Sequence, residues 1–154
     1  MVAQRRERPG QEHGGKAFDF RLSDGRTISV PARDAAPAVG AKLVEAIVAR
    51  DEAALASCFA PAVELLALVP RGLRERSGAS DAAAQFTRWY GDVTELRLVD
   101  SRVEELSDRL HIAYRLDVVE DGQPYVDEQQ LYCTVVDGVI ERFDLVCSGF
   151  RPRG

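Results

Sequence analysis

A chain of 154 residues, 45% hydrophobic and 29% charged, has material for one hydrophobic core and not for two, so a single domain is expected. The formal net charge of -5 and the dispersed basic residues exclude a nucleic-acid footprint, and no apolar run is long enough to cross a bilayer. Cys58, Cys133 and Cys147 lack metal or redox spacing and the N-terminus lacks the apolar stretch of a secretory signal, so reduced thiols in a cytoplasmic protein are expected.

Residues 1–15, MVAQRRERPGQEHGG, are polar and without periodicity, and read as a disordered tail. In 16–32, Phe18, Phe20 and Leu22 alternate, Asp24-Gly25 offers a turn, and Ile28 and Val30 alternate again. This is the pattern of an accessory β-hairpin, which needs something to pack on. The domain proper is expected over 37–150. Val39, Leu43, Val44 and Ile47, then Leu55 and Phe59, recur at helical spacing, and Asp51 between them can cap a second short helix. Pro61 stops the helical run before VELLALV, a strand; RGLRERSGAS reads as a polar loop offering Ser77 or Ser80 as a cap. A third helix follows in DAAAQFTRWY, with Phe86, Trp89 and Tyr90 on or near one face.

From residue 93 the period is two. Strands are expected at about 94–106, 109–119, 125–136 and 139–149, joined by Ser107-Asp108, Asp121-Gly122 and Asp137-Gly138. Asp-Gly pairs suit hairpin turns because both positions need positive φ. Helices first and an antiparallel meander afterwards give an α+β fold in which the helices cover one face of a curved sheet.

Pairing Val136 with Val139 sets Leu131 opposite Asp144 and Gln129 opposite Val146; the neighbouring turn sets Ile112 beside Leu131 and Tyr114 beside Gln129. On this register Asp144 lies on the covered face among apolar side chains, where a carboxylate either finds partners or has its pKa raised. The opposite face carries Glu104 beside His111 and Arg115 beside Glu128, pairs suited to solvent or a wet subunit contact. Tyr132, Phe143, Leu145 and Cys147 share that face, which points to a homodimer interface.

The order LVEAIVARDEAALASCFAPAVEL, SGASDAAAQFTRWY and a meander ending DGVIERFDLVCSGF resembles the nuclear transport factor 2-like superfamily, including its SnoaL-like polyketide-cyclase branch. The resemblance implies a conical, cystatin-like roll around a pocket and homodimers through the outer sheet face; two histidines and scattered cysteines offer no metal constellation, and no cofactor is expected. The acid/base Asp that such cyclases carry on the last strand matches Asp144, while their companion His has no inward-facing match. The Arg-x-Asp of the epoxide-hydrolase-like pattern is similar to Arg115-Leu116-Asp117.

Together these readings name Asp144 and Tyr114 as catalytic candidates, and Gln129, Trp89, Tyr90, Phe86, Ile112, Leu131 and Val146 as the lining for a small hydrophobic molecule. The expected chemistry is cofactor-free proton transfer of isomerase, cyclase or dehydratase type. A noncatalytic ligand-binding or dimeric assembly module and an epoxide hydrolase-like enzyme stand as alternatives.

Overall fold

The computed structural model describes the backbone of residues 17–21 and 25–154, with side chains for 25–27 and 36–154. The expected tail at 1–15 lies outside the described residues, as do the apolar side chains of the hairpin. Its strands, β1 (Ala17–Arg21) and β2 (Thr27–Pro31), pair antiparallel. β2 runs directly into α1 (Ala32–Ala49), which begins upstream of Pro37.

Arg50, at φ 52, ends α1 in the left-handed region. Asp51 then accepts a 3.0 Å hydrogen bond from Ala54 N and caps α2 (Glu52–Ser57). β3 (Phe59–Val69) and β4 (Gly72–Ser77) form a hairpin leading to α3 (Ala79–Trp89). The loop reading of RGLRERSGAS is therefore corrected to a strand: alternating Arg and Glu carry no apolar period, and backbone pairing to β3 defines the element. Neither serine caps α3, whose N-cap is Gly78 at φ 94 without a side-chain bond.

The remaining strands are β5 (Val93–Leu106), β6 (Arg109–Glu120), β7 (Gln123–Val136) and β8 (Val139–Cys147), with β9 (Arg151–Pro152) added against β7. They form the expected meander. Asp121-Gly122 and Asp137-Gly138 both take positive φ at their two turn positions. The large sheet runs β4-β3-β8-β7-β6-β5, with β3 parallel to β8 and the other neighbours antiparallel. Its inner face presents Leu110, Ile112, Leu116 and Leu131 to Leu43 and Ile47 of α1 and Phe86 of α3, all at most 2% exposed. Burying each such side chain is worth about 1.5–3 kcal/mol, so this contact dominates the domain's stability.

Helix α1 approaches the sheet at Gly40, where a β-carbon would lie 2.6 Å from Val103 Cγ1 and 3.3 Å from Leu110 Cδ2. Alanine there gains about 1 kcal/mol of helix propensity. Overpacking costs about 1–3 kcal/mol. Gly40→Ala is therefore expected to lower the urea midpoint, and a raised midpoint would show that the helix can lift without loss.

The β6–β7 register is the one expected, with Ile112 opposite Leu131 and Tyr114 opposite Gln129. The β7–β8 register departs from expectation. Val136 pairs with Val139 and Val135 with Ile140, but Thr134 pairs with Arg142, leaving Glu141 as an extra residue on β8. Such a bulge reverses the facing of every later side chain on its strand. Phe143 and Leu145 consequently point inward at 0% and 2% exposure, and Asp144 and Val146 point outward.

Candidate functional site

Next to α3 lies a cavity of about 700 Å3, lined among others by Gln85 and Trp89 of α3, Asp127 and Gln129 of β7, Cys147 at the end of β8, and Phe150. Strand alternation explains the β7 contribution: Asp127, Gln129 and Leu131 are spaced by two and share the inner face. Asp127 is wholly buried. Its Oδ2 accepts hydrogen bonds from the Tyr90 hydroxyl at 2.7 Å and Gln129 Nε2 at 3.3 Å, and its Oδ1 accepts one from Cys147 Sγ at 3.3 Å. The Tyr114 hydroxyl donates to Gln129 Oε1, so Tyr114, Gln129, Asp127 and Tyr90 form one buried chain of hydrogen bonds.

Burial pushes the Asp127 carboxyl above its ordinary value, outweighing the donors from Tyr90, Cys147 and Gln129 that favour the charged form. Burial likewise raises Tyr90 and Tyr114 well above the ordinary tyrosine value, keeping both as neutral donors. Cys147 is pushed to about 12, first by burial and then by the Asp127 charge, so its thiol stays protonated. Around Asp127 the hydrogen-bond chain thus combines one ionisable acid with neutral donors. Among the described residues no group of three His, Cys, Asp or Glu side chains is placed to hold a metal ion.

No protein-family model matches the chain, and no curated protein sequence does. Solved structures do. A putative isomerase from Bacillus subtilis matches with a TM-score of 0.64 at 14% identity, covering 75% of this chain and 88% of the other. A Catenulispora acidiphila protein with a ketosteroid isomerase-like fold, in complex with trimethylamine, matches with 0.63 at 13%, over 73% and 86%. A putative polyketide cyclase from Xanthomonas campestris matches with 0.62 at 21%, over 74% and 90%. The chain has the nuclear transport factor 2-like fold.

On this nuclear transport factor 2-like scaffold the residues named from sequence divide into three groups. Gln129 and Trp89 line the cavity, whereas Tyr90 and Tyr114 do not line it and connect to it through their hydrogen bonds to Asp127 and Gln129. Phe86, Ile112 and Leu131 are buried core that does not line this cavity: Phe86 stacks with Phe59 and Phe143 and meets Trp89 edge-on at 5.2 Å. Asp144 and Val146 lie on the outer face, which overturns their expected place on the covered one. The Asp144 side chain is 44% exposed, opposite Tyr132 and 3.3 Å from Arg142, and Val146 is 49% exposed.

The same bulge removes Phe143 and Leu145 from the expected outer patch and turns Cys147 toward the cavity. The charge pairs of that face are present, His111 with Glu104 at 3.8 Å and Arg115 with Glu128 at 3.5 Å. Asp117 is held by Arg97 at 2.6 Å and Arg153 at 2.7 Å. It pairs with Val126, six positions along β7 from the Tyr132 that faces Asp144, a separation of about 20 Å at strand rise. No Arg-Asp-Asp cluster forms from Arg115, Asp117 and Asp144. The central carboxylate, Asp127, was absent from the sequence-named set although its signal was available: it stands two residues before Gln129 and opposite the inward Leu116.

Proposed function

We propose that this protein binds a small hydrophobic ring compound in the cavity beside α3 and moves a proton on it without a cofactor, with Asp127 as the acid/base. The observation that carries this reading is a buried carboxylate of raised pKa at the floor of a cavity, wired to two tyrosines and an amide. Oδ2 is occupied by Tyr90 and Gln129, whereas among the described residues Oδ1 holds only the long thiol contact. On this reading Cys147, which lines the cavity, turns aside to give a ligand access to Oδ1. Ionised Asp127 then takes the proton from a carbon next to a carbonyl, leaving an enolate, and returns it to the same or a conjugated carbon. Isomerase, cyclase and dehydratase reactions share this step. The SnoaL-like cyclase branch is favoured less than the others because the position of its acid/base Asp falls on outward-facing Asp144.

Proton exchange tests the reading without knowledge of the natural substrate. Ring ketones such as 2-tetralone, incubated with the protein in deuterium oxide, are expected to lose their α-proton magnetic resonance signals faster than in buffer alone. A second reading, a noncatalytic binding module, draws on the complete coverage of Asp127 and its three donors. Saturable binding of such ketones without accelerated exchange would decide for that module.

The outer sheet face supports a homodimer. Tyr132 is 41% exposed and stacks on His111, and Val146 lies beside Leu68, itself 52% exposed. The Leu68–Val146 pair, with Tyr132 diagonal to it and ion pairs around, fits a subunit contact. Light scattering is expected to give twice the chain mass at micromolar concentration, and Leu68→Glu combined with Val146→Glu to give a monomer. A monomeric wild type would remove the interface. The three cysteines are free thiols, which supports a reducing compartment such as the cytoplasm. Among the described residues no helix is long and apolar enough to cross a membrane.

A further inference from the structure

Strand β4 is patterned inside out. Period-two alternation turns Arg74 and Arg76 toward the inner face, opposite the buried Ala67 and Leu65, while Leu73 faces solvent at 53% exposure. Both arginines are half-buried and line the cavity. Among the described residues their guanidinium groups donate only to adjacent backbone carbonyls, of Leu73 at 3.0 Å and Glu75 at 2.6 Å. Arg71 at the β3–β4 turn and Arg88 of α3 line the same cavity. None of the four makes an ion pair among the described residues, although most other cavity-distant arginines of the sheet do. Glu120 and Asp127 are the acidic residues of the lining, and burial favours the neutral form of Asp127.

A second observation comes from the facing helix. Gln85 is 4% exposed, lines the cavity, and its Oε1 is the buried side-chain polar atom left without a hydrogen-bond partner among the described residues. A buried amide without a partner forfeits the hydrogen bond it made in water, and like charges gathered around a partly apolar hollow add repulsion. Both penalties are relieved by one kind of occupant. Gln85, Arg88 and Trp89 share a helix face at spacings of three and four, so the amide, the charge and the indole reach the cavity together.

We propose that the occupant is an organic acid: a ring compound whose carboxylate is held by Arg71, Arg74, Arg76 and Arg88, with a polar substituent on Gln85 and the ring against Trp89. The inference rests on the cavity being the ligand site and deepens that reading by naming the charge of the ligand. Guanidinium forks match carboxylate geometry, and such bonds are about twice as strong as neutral ones. The acid anchors the ring and leaves its far side for Asp127.

Trp89 is the chain's one tryptophan and lines the cavity, so its fluorescence reports occupancy. The probes are decalin-2-carboxylate and the isosteric decalin-2-carboxamide, neither of which absorbs where indole does. The carboxylate is expected to bind about tenfold more tightly than the amide, with the preference shrinking as salt is added. In the variant carrying Arg71→Gln and Arg88→Gln, two exposed positions, the preference is expected to collapse to within about twofold; Arg74→Gln with Arg76→Gln provides an independent pair. Equal affinities in the wild type, or a preference that survives both double substitutions, would overturn the organic-acid assignment and leave the cavity as a neutral-ligand site. Failure of both probes to perturb Trp89 up to millimolar concentration would instead overturn the cavity as the ligand site, and the acid assignment with it.

Discussion

Asp127→Asn is expected to slow enzyme-dependent α-proton exchange by about 10²–10⁴-fold, the range that general acid–base groups supply, while ring-ketone binding stays within a few-fold. Asn keeps the size of the side chain and an acceptor for the Tyr90 hydroxyl, so the hydrogen-bond chain survives and proton affinity alone is lost. In the wild type the exchange rate should climb with pH and level off only above the raised pKa of Asp127. Stability moves the other way. The native state holds the Asp127 proton more tightly than the unfolded chain, whose value is near 3.8, so stability falls as pH rises from there through the raised native pKa. The Asn variant lacks that loss, and its urea midpoint should be flatter across the same window. Exchange unchanged in the variant would move the chemistry away from Asp127.

Two adjacent residues on β8 should respond in opposite ways to truncation. Phe143 is fully buried, its ring 5.1 Å from Phe59 and 6.1 Å from Phe86, so Phe143→Ala removes the centre of an aromatic stack and is expected to cost about 3–5 kcal/mol. Asp144→Ala deletes an exposed carboxylate and its ion pair with Arg142, and should change stability by no more than about 1 kcal/mol. Paired urea titrations give the contrast directly. A large loss at Asp144 with a small one at Phe143 would refute the bulge and restore the regular hairpin.

These two residues also mark where the sequence stops being legible. The Asp121-Gly122 turn closes on an unbroken ladder, so counting outward from it gives the true partners of Ile112 and Tyr114. Counting from Asp137-Gly138 is right for Val136 and Val135 and wrong from Thr134 onward, because Glu141 is no turn residue or proline to advertise an extra position. Parity along β7 alone was sufficient to place Asp127 inward with Gln129, since no bulge intervenes between them. β4 was hidden for a different reason: Arg74 and Arg76 occupy the inward positions where a period-two search expects apolar side chains.

The unpaired Glu141 uncouples a residue's count from the turn from the side of the sheet it occupies. Deletion of its single codon, with the Asp137-Gly138 turn intact, would join Ile140 to Arg142 in a regular ladder and keep every later pairing, Phe143 opposite Cys133 and Asp144 opposite Tyr132. Phe143 and Leu145 would stay toward the helices, and Asp144 and Val146 would stay outward. A chain of this scaffold with a regular hairpin and the same count from its turn to the last-strand acid would instead carry that acid inward. Descent traced by last-strand carboxylates aligned without a gap will therefore group chains whose acids stand on opposite sides.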